Sequence, residues 1–398
     1  MFLASNAAID AQQTPLWLRS NSISPDGTQI AFTYKGNIYI TDAKGGQAKQ
    51  LTTNPAYETS PMWTPDGQSI VFSSTRESSK DIFIIPAAGG TPTRVTTHPH
   101  NEALRTILPD GTIIFAAAIQ QDATYGDFPG QAQLYSVSPD GGRPSHVTSL
   151  PVMNMSVNKN GQILYEDYKG YEDSFRKHHT SSVTRDIWLY TPASGQDGFS
   201  INGEGTFRKL SQFNGEDRNP VFAADGNTFY YISEQDGTYN IYRSSITDPE
   251  KSEQLTFYKG NPVRYLSISA NDILCYSYDG ELYTLRQGAQ PQKVGITITT
   301  DKIERDAQLQ TIASGATQLA LSPNGKEVAV TARGDVYVTS IEHRTTRRIT
   351  NTPCQERGIT FGKDGRTIYY ASERDGHWGI NGGRGPAWRC RLRSRPLR

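Results

Sequence analysis

Apolar side chains recur along the chain around one turn element, an Asp-Gly or Asn-Gly pair. It occurs at Asp26-Gly27, Asp66-Gly67, Asp110-Gly111, Asn160-Gly161, Asp225-Gly226, Asn324-Gly325 and Asp364-Gly365, with Asn271-Asp272 as a degenerate copy. An apolar residue stands three positions before each pair (Ile23, Trp63, Ile107, Val157, Phe222, Ile268, Leu321, Phe361), and another follows shortly after it (Ile30, Ile70, Ile114, Leu164, Phe229, Cys275, Val328, Ile368). An Asx-Gly pair supplies the positive φ of a tight hairpin turn, so each copy predicts two antiparallel strands joined by a turn. A third strand follows, in forms such as Asn37-Ile38-Tyr39, Asp81-Ile82-Phe83, Asn240-Ile241-Tyr242 and Asp335-Val336-Tyr337. An apolar-hydroxyl pair closes most units as a fourth: Leu51-Thr52, Val95-Thr96, Val147-Thr148, Leu210-Ser211, Leu255-Thr256 and Ile349-Thr350. Four short strands in a unit of roughly 40–50 residues is the pattern of β-propeller blades, each sheet burying its faces against its neighbours.

The expected fold is therefore all-β. The repeats alone leave open one ring of seven or eight blades, but the stretch from Gly295 to Ala316 carries no turn pair, and the pattern restarts at Thr317. The reading adopted is a six-bladed β-propeller of four-stranded blades over 14–298, a linker over 299–316, and the first one to two blades of a second propeller over 317–380. Residues 1–13 read as the remnant of a signal peptide, with small residues before a cut after Ala11, or as a disordered terminus. Residues 381–398 are Arg-rich and predicted to be irregular, which fits a frame slip or premature end better than a nucleic-acid tail.

Charge changes the picture by exclusion. Lys+Arg and Asp+Glu are 40 each, which removes the global footprint of a nucleic-acid binder or of a protein drawn to anionic membranes. No apolar run approaches the roughly 18 residues of a membrane helix, so no membrane insertion is expected. Gly and Pro number 36 and 22, and Tyr and Phe outnumber Met, a bias toward strands and turns. Cys275, Cys354 and Cys390 form no C-x-x-C pair and encode neither a zinc site nor a disulfide framework.

Sequences such as Phe72-Ser73-Ser74-Thr75-Arg76 and Tyr370-Ala371-Ser372-Glu373-Arg374-Asp375-Gly376 resemble the PD40 repeats of TolB-type propellers. The fourth unit, Tyr168-Lys169-Gly170-Tyr171 followed by an insertion and Arg185-Asp186-Ile187-Trp188, is more specific. It looks like the N-terminal six-bladed propeller of the tricorn protease family, as does the fifth, from Tyr230-Tyr231-Ile232-Ser233 to Asn240-Ile241-Tyr242. This resemblance covers about residues 14 to 380. It implies a longer parent with a second propeller, a PDZ-like module and an S41-type serine-peptidase core, and the match ends early in the second propeller. No catalytic residue is carried over, and the chain alone is expected to lack peptidase activity. The implied role is a non-catalytic propeller that guides or gates peptides; the alternative is a TolB-like interaction module in the cell envelope. Export or a periplasmic location is expected for the parent, a cytoplasmic one if the leader remnant is inactive, and oligomers through the parent protease.

The residues themselves agree with the absence of catalysis: there is no G-x-S-x-G elbow, no H-E-x-x-H and no Walker loop. No metal or cofactor is expected; His98 and His100 lack a carboxylate cluster and read as a solvated loop. The Asp residues of the turns, which resemble acid/base pairs of a propeller glycosidase, are accounted for by turn hydrogen bonds. The one candidate binding feature is the basic patch Arg176, Lys177, His178 and His179 in the fourth-unit insertion (167–185), placed to face the channel and attract acidic peptide ends. The competing reading is a solvated loop. In the partial second propeller, Val328, Val330, Val336 and Tyr337 are expected to share one open apolar face.

Overall fold

Each turn pair lies between the first two strands of a four-stranded antiparallel sheet. In this computed structural model, which describes residues 15–119, 132–171, 176, 181–194, 199, 201, 204–299, 314–384 and 395–396, the glycines take left-handed φ (Gly27 74°, Gly67 69°, Gly226 73°, Gly365 62°). Asp272 takes the same conformation at 58°. The Asx residue before each glycine keeps a negative φ, so the loop is longer than the two-residue mirror-image turn the pairs predict. In the first blade, Ser24 N–H donates to Gln29 O at 2.8 Å, Gly27 N–H to Ser24 O at 2.9 Å, and Asp26 Oδ1 accepts from Thr28 N at 3.0 Å. A type I-like turn followed by one left-handed residue has this bonding.

The chain divides into two compact units, residues 1–301 and 302–398. The first holds six four-stranded sheets in simple sequence order. Their first strands are Arg19–Ile23, Glu58–Trp63, Glu102–Ile107, Val152–Val157, Asp217–Phe222 and Arg264–Ile268. These pack side by side in a closed cycle, the sixth against the first, and so form the wall of the ring axis. Strand alternation explains why the ring closes. Ile30 points to the sixth blade and Ala31 to the second; Ile70 points to the first and Val71 to the third. Each blade thus feeds two apolar clusters, and one cluster fills each of the six gaps. At the seam Ile23 N–H donates to Ser267 Oγ at 3.2 Å, and Ile296–Thr297 pairs in parallel with Gly46–Gln47.

The apolar-hydroxyl pairs have a bonding role. Thr52, Thr96, Ser211 and Thr256 each accept, through the hydroxyl, the backbone N–H of the third strand's Ile38, Ile82, Ile187 and Ile241, at 2.6 to 2.9 Å. Thr350 does the same for Val336 at 2.9 Å. Thr148 differs and accepts from Leu150 N at 3.2 Å.

The second unit has two sheets sharing one apolar cluster of Ala329, Val336, Ile368 and Tyr370. Two expectations change here. Val336 is 0% exposed and faces the neighbouring sheet, because its strand partner is Thr331, while Tyr337 pairs with Val330 on the opposite face. Residues 381–384 are not irregular: the strand Gly379–Arg384 pairs in register with Thr367–Ser372, and Arg395–Pro396 pairs beside it. Residues 1–13 and most of 299–316 lie outside the described residues. Among those described, no helix is long and apolar enough to cross a membrane.

Candidate functional site

Each first strand of the ring carries a β-bulge near its middle, seen as a slip in its pairing with the second strand. A bulge re-aims side chains and locally ends pairing. Four bulge residues, Ser20, Ser60, Asn219 and Tyr265, hold left-handed φ of 49° to 57°. In the third blade the slip falls between Leu104 and Thr106 and sets Arg105 out of the ladder; in the fourth it spans Met153 and Asn154. The ring thereby presents Ser20, Ser60, Arg105, Asn154, Asn219 and Tyr265, all partly accessible, along its inner wall.

A closed charge network lies behind the wall in the fourth and fifth blades. Glu166 is buried; its Oε1 accepts from Arg185 Nη1 at 2.8 Å, and its Oε2 accepts from Asn154 Nδ2 at 2.6 Å and from Asn219 backbone N–H at 2.9 Å. Glu216, also buried, lies 2.7 Å from Arg176 Nη2, 3.4 Å from Arg218 Nη1 and 3.9 Å from Arg185 Nη1. Arg176 grips Glu234 with both terminal nitrogens, at 2.7 and 2.9 Å. The Tyr239 ring sits between Arg176 and Arg218, their guanidinium carbons 5.2 and 4.0 Å from its centroid. Burial opposes the charge on Arg176, but Glu234 and Glu216 outweigh it and hold the guanidinium above its ordinary pKa. Buried charges persist only when matched in this way.

Arg105 and Lys80 are in a different position. Among the described residues neither forms an ion pair, and Arg105 Nε is buried with no hydrogen-bond partner. Burial lowers the Arg105 pKa to about 10, with Glu166 opposing and Arg185 assisting. Burial and then Arg105 itself also lower the Lys80 pKa. A buried guanidinium whose charge also depresses a neighbouring ammonium makes a field that an anion would relieve.

The predicted patch is split. Arg176 is brought inside the network, where two carboxylates take up its charge, so it is not the solvated cation the sequence implied; Lys177, His178 and His179 lie outside the described residues. No group of three metal-ligating side chains occurs among the described residues, and the rings of the half-buried His98 and the exposed His100 stack on each other at 5.1 Å. Ser149 Oγ lies 3.4 Å from His146 Nε2, but no carboxylate bonds that ring, which packs edge-on against Tyr135. Arg105 and Lys80 were missed by sequence reasoning. The available signal was positional: five residues before the turn's Asx, the other ring units carry Asn21, Pro61, Met155, Pro220 and Leu266, and only this unit an arginine.

Comparison with known proteins adds a family. Residues 15–291 match the family described as the tricorn protease N-terminal beta propeller domain. Tricorn protease homolog 1 of Streptomyces coelicolor is 22% identical over 359 residues, covering 88% of this chain and 32% of the relative. A second tricorn protease homolog of that organism is 23% identical over 363 residues, covering 88% and 29%. The chain thus spans less than a third of the length of these curated relatives. The crystal structure of the tricorn protease superposes with a TM-score of 0.59 at 15% identity, over 96% of this chain and 44% of that one, a likeness of fold.

Proposed function

The chain belongs to the tricorn protease family through its N-terminal β-propeller domain, and from that premise we propose that it is a non-catalytic section that guides or gates peptides along the ring axis. The observation that carries this reading is Arg105 on the inner wall with Lys80 near it, neither in an ion pair among the described residues, beside a network in which the other buried cations are matched. An arginine with no ion pair among the described residues and a nearby ammonium suits a carboxylate, the group at every free peptide C-terminus. The peptide backbone would find hydroxyl and amide partners at Ser20, Ser60, Asn154 and Asn219. In this reading peptide cleavage would be carried out by a longer parent, which we propose is exported.

Fluorescence anisotropy with short labelled peptides tests this. Peptides with a free C-terminal carboxylate should bind the full chain more tightly than their C-terminal amides, by about tenfold for one charge-assisted contact. The double variant Arg105→Ala/Lys80→Ala should erase the difference. Equal binding of acid and amide forms, or a preference that survives in the double variant, overturns the reading and leaves the envelope-docking alternative.

A further inference from the structure

One acidic position repeats through the sheets with a partner that does not. The first residue of the first strand is a buried carboxyl in four sheets: Glu58, Glu102, Asp217 and Glu356. Opposite it on the second strand stand Ser74, Ala117, Ser233 and Ser372. Two residues beyond those positions come Arg76, Ile119, Gln235 and Arg374. In the second blade Arg76 pairs with Glu58, its Nε also donating to Ser74 Oγ at 3.0 Å. In the last sheet Arg374 reaches Glu356 at 3.5 Å with its Nε 3.3 Å from Ser372 Oγ. The third and fifth blades keep the acid and lack the arginine.

Among the described residues no other cation takes its place. Glu102 receives a hydrogen bond from the Thr96 hydroxyl; the charged groups facing it are Asp81, which repels its anion, and Arg94, whose Nη2 sits 2.9 Å from Asp81. Lys80 and Arg105 lie near it in the chain but are not among the charged groups that act on it. Asp217 faces Asp186 and Glu234, both repulsive, with Ser233 and Ser211 as its polar partners. Lys169 and Lys209 are bound to Asp186, Arg176 to Glu234 and Glu216, and Arg218 to Glu216, while Arg185 offers Asp217 only its backbone carbonyl, at 3.0 Å from Asp217 N. One oxygen of each of the four acids has no partner, so the arginine is what separates the two pairs.

We propose that Glu102 and Asp217 are a pH-sensitive device in the ring: each is carried as a neutral acid in the closed blade, and loss of its proton loosens the blade end where it sits. The end in question includes the loop joining Thr96 to Glu102, with His98 and His100, beside the Lys80 and Arg105 wall. Burial, as the main cause, raises both groups to about 7, above the ordinary carboxyl range. The folded chain therefore holds protons that the unfolded chain releases near pH 4. Its stability is fullest below about pH 4 as far as these groups are concerned, and falls as pH rises through about 7.

Thermal unfolding of the full chain from about pH 5 to about pH 8.5 tests this, since the window brackets the raised pKa. Glu102→Gln and Asp217→Asn keep the shape and fix the neutral form. Each should melt only a little higher than the parent at the acid end, well above it at the alkaline end, and flatten the slope; Glu58→Gln should melt lower at both ends, because it strands Arg76. Ile119→Arg should flatten the Glu102 contribution by restoring the missing partner. Carbon-13 carboxyl NMR of the unmodified chain gives an independent reading. Carboxyl midpoints near 7 that vanish in the two variants support the device. If those carboxyls titrate below about 5, or if the variants melt lower than the parent at alkaline pH, the device is overturned.

Discussion

Asn271 Nδ2 donates to Asp26 O at 3.2 Å, so the turn of the sixth blade is bonded to the turn of the first. The contact is tight because Gly27 has no side chain: a Cβ there would lie 2.6 Å from Ile273 Cδ1 and 3.0 Å from Asn271 Oδ1. The same glycine holds a φ of 74°. Gly27→Ala is expected to cost about 1–2 kcal/mol from the left-handed conformation alone, before any shift of Ile273. Urea unfolding reads it, and the contrast is Gly237→Ala, whose Cβ would meet nothing within 4 Å. Equal losses in the two variants would mean that the seam contact contributes nothing.

The hydroxyl clips make a second prediction. Thr52→Val, Thr96→Val and Thr256→Val preserve shape and leave the N–H groups of Ile38, Ile82 and Ile241 buried without an acceptor. Each should destabilise the chain by about 1–3 kcal/mol, whereas Thr148→Val, whose hydroxyl accepts from Leu150 instead, should cost less. A loss at Thr148 as large as at the other three would assign the effect to β-strand packing rather than to the clip.

These two cases mark how far the sequence reaches. Turn pairs, apolar alternation and the apolar-hydroxyl pairs are local patterns, fixed by bonds that stay within one blade, the longest of the clips spanning 24 residues, and they carried the blade architecture. The wall was not readable that way. Arg176 meets Glu216 and Glu234 across 40 and 58 residues of chain, and nothing near it in sequence announces either partner. An exposed basic run and a buried ion-pair anchor look the same in one dimension. Arg105 was hidden for the opposite reason, because a bulge, not alternation, decides where it points.

The two arginines should therefore respond oppositely. Arg176→Met removes the partner of the buried Glu216 and the partly buried Glu234 and is expected to lower stability by about 3–5 kcal/mol. Arg105→Met removes a cation whose pKa the fold lowers to about 10, so its charged form is disfavoured in the ring and its loss should leave the melting temperature unchanged or higher. Differential scanning calorimetry at neutral pH compares them. A fall for Arg105→Met approaching that for Arg176→Met would show that Arg105 has a structural partner after all and would remove the basis for assigning it to peptide ends.

The second unit supplies the last prediction. In its first sheet Leu319 and Leu321 pair with Val330 and Val328, and Val330 in turn pairs with Tyr337, so the five share one face. Leu319 is 71% exposed and Leu321 56% exposed, whereas Val336, one residue from Tyr337, is fully covered by the adjoining sheet. In the ring every blade buries both faces; here one face of a four-stranded sheet is uncovered within its own unit. Such surfaces, flanked by strand edges, template association. Two sheets sharing one small cluster also have few means of resisting unfolding, since a core of this size supplies at most about 3–5 kcal/mol. Limited proteolysis of the chain should accordingly leave a resistant fragment ending near residue 300, at the boundary between the two units. Leu319→Lys with Leu321→Glu should reduce aggregation without shifting the main melting transition, because neither side chain is a member of the ring's clusters. Val336→Asp should instead abolish protection of both sheets together, through the cluster with Ile368 and Tyr370. The division is refuted if proteolysis yields one resistant species reaching beyond residue 358, or if the Leu319 and Leu321 substitutions lower the main transition as much as a core substitution such as Phe72→Ala.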